Sequence, residues 1–413
     1  MRILFIHQNF PAQFKHLAPA LIAQGHQVAT LTINPDLGAE WQGVQVFKYQ
    51  PARGSTPNIH PWVIDFETKI IRGEAAFRAA CNLNQLGYRP DLIIAHPGWG
   101  ESLFLKEVWP KVKLAIYCEF YYILNNGDVD FDPEFYDPDP GEACRLQIKN
   151  INNLIHFPLA DAGLSPTWWQ ASTFPPPFRE QITVIHDGID TQAITPNPGI
   201  TITLDTGLTL SREDEVITYV SRNLEPYRGF HIFMRALPRL LRERPKARVL
   251  IIGHHDVSYG ARPAYGRTWK QILIDEISPR INPEDWSRVH FLGSLTYPHF
   301  IAVLQLSRVH VYLTYPFVLG WSLLEAMSAG CAIVASDTQP LHEAIKHDET
   351  GRLVDFFDIH GLVDDITLLL DDPALRQRLG ANARDFARAH YDLRSVCLPR
   401  QLAWVNDLLA ETK

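Results

Sequence analysis

The stretch Leu313–Ile345, LTYPFVLGWSLLEAMSAGCAIVASDTQPLHEAI, decides how the rest of the chain is read. It passes from the end of an apolar strand, Val309–Leu313, through a loop and a helix to a second apolar strand, Ala332–Ala335. Pro316 stops the first strand, because proline has no N–H to give a sheet ladder. Gly320 opens a helix expected over Trp321–Ala329, and Gly330 ends it with a residue suited to the left-handed cap. A helix start behind a glycine is expected to leave backbone N–H groups free and to present the positive end of the helix dipole, which suits a phosphate. Glu325 sits one turn into that helix, where a carboxylate is placed to accept hydrogen bonds from a ribose.

Around this stretch lie 413 residues, too many for one ordinary core, so two domains are expected. The 46% hydrophobic and 20% charged content is that of a soluble globular protein. A formal net charge of -8 argues against a nucleic-acid partner. Five scattered cysteines without a C-x-x-C pair suit a reducing cytoplasm and argue against a disulfide frame or a zinc site. The start, MRILFIHQNF, reads as a buried strand rather than a signal peptide, and no apolar run is long enough to span a bilayer. Residues 1–195 carry 14 Lys and Arg against 20 Asp and Glu with no polybasic helix. The expected location is therefore the cytoplasm, with membrane association at most peripheral at the inner face.

The first half alternates strands and helices. Strands are expected at Ile3–Ile6, Val28–Ile33, Val44–Tyr49, Asp91–Ala95, Leu114–Tyr117, Ala160–Leu164 and Ile182–Ile185. Helices are expected over Pro11–Gln24 and Trp62–Leu86. The Pro-, Gly- and Thr-rich segment Thr195–Ser211 reads as a domain boundary. Beyond it the rhythm restarts with strands at Val216–Val220, Arg248–Ile252 and Val289–Leu292 and a helix at Phe230–Arg244. The fold class is therefore α/β, with two doubly wound Rossmann-like sheets facing a cleft and ligands at the carboxyl ends of the strands. The expected divisions are 1–195, 196–385 and a C-terminal helix, 386–413, crossing back to the first domain. Neither half has a G-x-G-x-x-G, which argues against a dehydrogenase.

Chemistry gathers at strand ends. Strand Val216–Val220 runs into SRNLEPYRG, Ser221 to Gly229, where Arg222 and Arg228 flank a turn into a helix. Two guanidinium groups there, beside the Gly320 helix start, make a diphosphate clamp; taken alone they read equally well as surface charges.

These segments together, SRNLEPYRGF, HFLGSL, YPFVLGWSLLEAMSAGCAIVASDTQPLHEAI and ETGRLVDFFD, resemble the donor half of family-4 retaining glycosyltransferases of the GT-B fold. ITVIHDGID, Ile182 to Asp190, is similar to that family's hinge signature, and HPGWGE, His96 to Glu101, resembles the acceptor half of one bacterial subgroup. The resemblance implies a nucleoside-diphosphate sugar as donor and a glycan, lipid-linked or small-molecule hydroxyl as acceptor, with no cofactor and no metal. It implies that Arg222 and Arg228 hold the diphosphate and Glu325 the ribose. Leu319, Gly320, Trp321 and Ser322 form the loop and helix start that meet the phosphates, and Phe291, Leu292 and Gly293 lie near the base. Three departures stand out. Phe317 occupies the place of the family's first, sugar-binding glutamate. Cys118-Glu119 stands where the family has a histidine, and Pro11-Ala12-Gln13 where it has a Gly-Gly loop.

The chemistry follows. Arg222, Arg228 and the helix dipole stabilise the charge developing on the leaving diphosphate. The acceptor hydroxyl attacks from the leaving-group face, as the resemblance implies, and its proton passes to a departing phosphate oxygen. Glu119 is the candidate for positioning the acceptor or assisting as base, or else a structural partner in its loop. His96, at a strand end, and Trp99, able to stack on a sugar, are acceptor-side candidates; their bland readings are a satisfied buried histidine and a packing tryptophan. The acidic run Asp128–Glu134 lacks the glycine and spacing of a calcium loop, and its prolines read as a solvated loop. Two alternatives remain: a sugar-nucleotide epimerase on the same scaffold, and a non-catalytic nucleotide-sugar binding protein.

Overall fold

A computed structural model describes residues 1–410. The chain separates into two compact units, Met1–Gly188 with the segment from Arg394 onward, and Ile189–Leu393.

The first unit is built on an eight-stranded sheet in the order Glu40–Trp41, Val44–Lys48, Gln27–Thr32, Arg2–Ile6, Leu92–Ala95, Lys113–Tyr117, Ala162–Ser165, Ile182–Val184. All neighbours pair in parallel except Glu40–Trp41, which turns back antiparallel on Val44–Lys48. The strands read as continuous apolar runs because helices cover both faces. One face packs Leu17, Leu21, Trp404, Val405 and Leu408 over Ile3, Phe5 and Ile94. The other packs Ala76, Ala80 and Leu83 over Leu4, Ile6 and Ile93. Helix Leu398–Ala410 thus lies on the first unit's sheet, and Lys113 Nζ ties to its Leu408 carbonyl at 3.0 Å.

The second unit has a six-stranded parallel sheet in the order Val289–Gly293, Arg248–His254, Val216–Asn223, Val309–Tyr312, Ala332–Ser336, Arg352–Val354. Helix Phe230–Glu243 buries Phe230, Phe233, Met234, Leu237, Leu240 and Leu241, a stripe at three- and four-residue spacing. Each such side chain, fully buried, contributes about 1.5–3 kcal/mol. In both sheets the order reverses beside the unit's first long strand, Arg2–Ile6 or Val216–Asn223, and the two loops leaving such a switch point diverge to leave room for a ligand. No described helix is long and apolar enough to cross a membrane.

Three expectations change. The helix expected over Pro11–Gln24 is two pieces, Ala12–Phe14 and Leu17–Ala23. Pro19 has no N–H to bond the Lys15 carbonyl, so one helix cannot run through. The Thr195–Ser211 stretch is not bare linker: Thr201–Thr203 and Thr209–Ser211 pair antiparallel around Gly207, within the second unit. The acidic run is a loop solvated only in part: Pro133 and Glu134 are exposed, but Asp128 and Asp132 are buried; the Asp132 carboxylate accepts from the Glu134 N–H at 3.0 Å, and Asp128 lies close enough to Lys149 to act on its charge.

Candidate active site

In the second unit, strand Val216–Asn223 ends in a turn whose shape is set by a carboxylate that sequence reasoning missed. Glu225 is fully buried and accepts from the N–H groups of Ser258, Tyr259 and Gly260 at 3.0, 3.1 and 3.1 Å. A carboxylate is buried without a cation only when donors converge on it, and these three backbone amides do so. The pairing draws the Ser258–Gly260 loop against the turn and sets the Tyr259 ring beside Arg228, whose guanidinium carbon lies 5.3 Å from the ring centroid. The signal in the sequence was the acidic residue inside an otherwise basic turn, but its partners are backbone atoms and carry no signature.

Arg228 Nη1 donates to Thr314 Oγ1 at 2.8 Å and to the Val318 carbonyl at 3.2 Å, and reaches the Tyr312 hydroxyl at 3.5 Å. All three acceptors are neutral, and Arg228 forms no ion pair with a described residue, though the buried Glu225 carboxylate is near enough to act on its charge. The guanidinium is thus fixed in place with its charge uncompensated by any described carboxylate within salt-bridge distance. Arg222 is exposed and makes neither a hydrogen bond nor an ion pair with a described residue. Arg222 and Arg228 thus stand at the end of one strand and on the turn that follows it, neither in salt-bridge contact with a described carboxylate.

The helix at Gly320 spans Trp321–Ser328, and Gly330, at φ +76, follows its end. One expectation is corrected here: the Gly320 N–H is not free. It donates to the Tyr312 hydroxyl at 3.0 Å, so Tyr312 bridges the helix start and Arg228. The Ser322 N–H has no acceptor among the described residues. Leu319 is buried, Trp321 packs against the second unit's core, and Glu325 is buried with its Oε1 accepting from the Tyr297 hydroxyl at 2.7 Å. Burial and the Glu325 charge push the Tyr297 phenol up. Leu292 and Gly293 close strand Val289–Gly293, with Gly293 at φ +65.

Phe317 is part of an aromatic cluster. Its ring lies 4.8 Å from Tyr259 and 5.6 Å from Tyr227, with the Arg228 guanidinium 6.0 Å from its centroid. The residue in the place of an expected carboxylate therefore packs against the rings that flank Arg228.

In the first unit the expected residues His96, Trp99 and Glu119 come together, with His7 and Gln13 added. All leave carboxyl ends of neighbouring strands: His7 after Arg2–Ile6, His96 after Leu92–Ala95, Glu119 after Lys113–Tyr117. His96 is buried and stacked between Trp99, at 4.4 Å, and Tyr117, at 5.5 Å. Its Nδ1 accepts from the Gly98 N–H, so its proton sits on Nε2, 3.4 Å from Glu119 Oε2, a long contact short of a formed hydrogen bond. Gln13 Nε2 donates to Glu119 Oε1 at 3.2 Å, and His7 meets Gln13 Oε1 at 2.9 Å. The Glu119 side chain keeps 37% exposure. Burial, then the neighbouring His96, hold the His7 pKa well below the usual histidine range. His7 and Gln13 were visible in the sequence as polar residues cutting the first apolar run and replacing the Gly-Gly loop; their pairing with Glu119, a hundred residues on, was not.

Comparison with known proteins now identifies the family. Residues 24–194 match the glycosyl transferase family 4 group, and residues 206–386 match the glycosyl transferases group 1. The chain is 26% identical over 433 aligned residues to a glycogen synthase of Mycobacterium tuberculosis, covering 96% of this chain and 92% of that protein. It is 27% identical over 212 residues to a D-inositol 3-phosphate glycosyltransferase of Corynebacterium efficiens, covering 51% of this chain and 47% of that one. Among solved structures, a sucrose-phosphate synthase of Thermosynechococcus elongatus shares the fold at TM-score 0.74 and 19% identity, over 99% of this chain and 100% of that one. Anabaena HepE, solved with UDP and glucose, matches at TM-score 0.68 and 17% identity, over 98% and 99%. With two Rossmann-like units and both family matches in chain order, the protein belongs to the family-4, group 1 glycosyltransferases of the GT-B fold.

Proposed function

We propose that this enzyme moves a hexosyl group from a nucleoside-diphosphate sugar to a hydroxyl of a glycan, lipid-linked or small-molecule acceptor, with retention of anomeric configuration and without a metal. The observation that carries this reading is Arg228, a guanidinium fixed by the neutral groups of Thr314, Val318 and Tyr312 on the turn that follows the strand bearing the exposed Arg222. Such a pair neutralises the charge that grows on a departing diphosphate and does so without reorganising at the moment of reaction. Bidentate guanidinium contacts to phosphate oxygens then take the place that a divalent cation fills in other phosphate chemistry. Glu325, oriented by Tyr297, accepts from the ribose hydroxyls. Gly320, Trp321, Ser322 and Leu319 line the diphosphate side, and Leu292 and Gly293 the base. In the first unit, Glu119 accepts a hydrogen bond from the acceptor hydroxyl, with His96 and Trp99 shaping the acceptor side.

The test incubates the protein, treated with EDTA, with UDP-, GDP- and ADP-linked hexoses and a set of sugar and lipid-linked acceptors. The HepE structure solved with UDP-glucose makes that donor the first to try. Expected are nucleoside diphosphate release and an α-linked product from an α-linked donor, undiminished by EDTA. A β-linked product overturns retention, and loss of turnover in EDTA overturns metal independence. Tight donor binding with no release in any combination favours a binding protein instead.

A further inference from the structure

We propose that Gln13 is a positioning residue for the Glu119 carboxylate, and that His7 fixes which end of the Gln13 amide faces it. This rests on the reading of Glu119 as the group that meets the acceptor hydroxyl. The chain of donors begins in the backbone. The Asn9 N–H donates to His7 Nδ1 at 2.9 Å, so the ring proton resides on Nε2. His7 is buried, and burial keeps it neutral, so that single proton has one direction. It is donated to Gln13 Oε1 at 2.9 Å. An amide whose oxygen is claimed on one side presents its NH₂ on the other, and that NH₂ meets Glu119 Oε1 at 3.2 Å. A carboxylate accepts only, so an amide turned the other way would set two oxygens face to face. The His7 tautomer therefore selects the Gln13 orientation, and Gln13 holds Glu119.

A donor aimed at the ionised form of a carboxylate favours that form and lowers its pKa. Titratable groups that face Glu119 include His96, with Nε2 at 3.4 Å, and Tyr117, at the end of the strand that Glu119 follows; His7 stands behind Gln13. His96 remains when Gln13 is removed, so the effect of Gln13 on Glu119 is separable. Asparagine at position 13 is one methylene too short to span from His7 to Glu119.

The test labels glutamate side chains with ¹³C, identifies the Glu119 carboxyl signal by its loss in Glu119→Gln, and titrates it in the free protein. In parallel, the pH dependence of UDP release from UDP-glucose, with water or the best acceptor, gives the acid limb of turnover. Gln13→Ala and Gln13→Asn are each expected to raise the Glu119 midpoint by about one pH unit and to move the acid limb upward with it. His7→Asn is expected to give a smaller rise, since the amide is then free to turn. Gln13→Met keeps the length without polar atoms and replaces Gln13→Ala if that variant does not fold. An unmoved midpoint in the folded Gln13 variants overturns the inference while leaving the Glu119 reading intact. A midpoint that moves while the acid limb stays fixed reduces Gln13 to a structural partner and overturns its functional role. Full transfer activity in Glu119→Gln overturns the underlying reading itself.

Discussion

The Tyr297 hydroxyl donates to Glu325 Oε1 at 2.7 Å, and Glu325 is only 6% exposed. The bond fixes the plane in which the carboxylate points. A charge-assisted hydrogen bond of this kind contributes about 1.5–3 kcal/mol, so Glu325→Gln is expected to weaken UDP binding by roughly ten- to a hundredfold. Isothermal titration with UDP and 2′-deoxy-UDP adds the specific readout. Wild type is expected to prefer the ribose, and the preference is expected to vanish in Glu325→Gln. A variant that keeps the full preference removes Glu325 from the ribose. Tyr297→Phe is expected to give a smaller, several-fold loss, because the carboxylate stays but is less well held.

The proposed diphosphate site uses both Arg222 and Arg228, which stand differently in the fold, so their variants separate. Arg222 is exposed and unpaired, and Arg222→Ala is expected to leave the melting temperature of the free protein unchanged. Arg228 holds Thr314, Val318 and Tyr312, and Arg228→Ala is expected to lower the melting temperature as well. Both are expected to cut the thermal shift produced by saturating UDP, which scales with the logarithm of ligand over Kd. Arg228→Lys is not expected to restore it, because an ammonium lacks the planar fork that meets oxygens on two sides. A full UDP shift in Arg228→Ala removes the clamp.

Much of this was legible in the sequence because a buried parallel strand needs a continuous apolar run and proline or glycine punctuates its ends. Val309–Tyr312, Ala332–Ser336 and Arg248–His254 fall within a residue or two of their expected bounds for that reason. Gly330 was readable as a left-handed cap because few other residues adopt that conformation cheaply. What escaped reading depends on partners distant in sequence. The Gly320 N–H looked free because nothing local claims it, yet Tyr312 from the preceding strand does. Glu225 is held by amides more than thirty residues on. Likewise His7, Gln13, His96 and Glu119 become one site only when three strands are laid side by side.

Gly229 caps the turn after Arg228 at φ +68, a left-handed backbone that side chains other than glycine's rarely adopt. A Cβ there would lie 2.4 Å from the Cβ of Leu313, inside the second unit's core. Backbone strain and overlap add, so Gly229→Ala is expected to destabilise by roughly 2–4 kcal/mol. Urea unfolding checks this, and a midpoint equal to wild type would show that the turn relaxes at no cost. The same shift moves Arg228, so UDP affinity is expected to fall with stability.

Each unit carries a buried neutral histidine. His186 in the first and His310 in the second are pushed down by burial to about 3. His186 Nδ1 accepts from the Gly188 N–H at 3.0 Å, and His310 Nδ1 shares a hydrogen bond with Thr218 Oγ1 at 2.9 Å. The sign follows from where the proton goes. Above about pH 6.5 both folded and unfolded chains keep these rings neutral, and stability is at its full value. Below it the unfolded chain takes up protons that the folded one refuses, so stability falls as pH drops, by roughly 1.4 kcal/mol per pH unit for each ring, until pH nears the folded value. Urea unfolding between about pH 6 and pH 4 reads this slope. His310→Gln cannot take up that proton, and its stability is expected to fall less steeply than wild type by about 1.4 kcal/mol per pH unit, whatever the variant's absolute stability. Equal slopes in wild type and variant would place the acid sensitivity of the second unit elsewhere than His310.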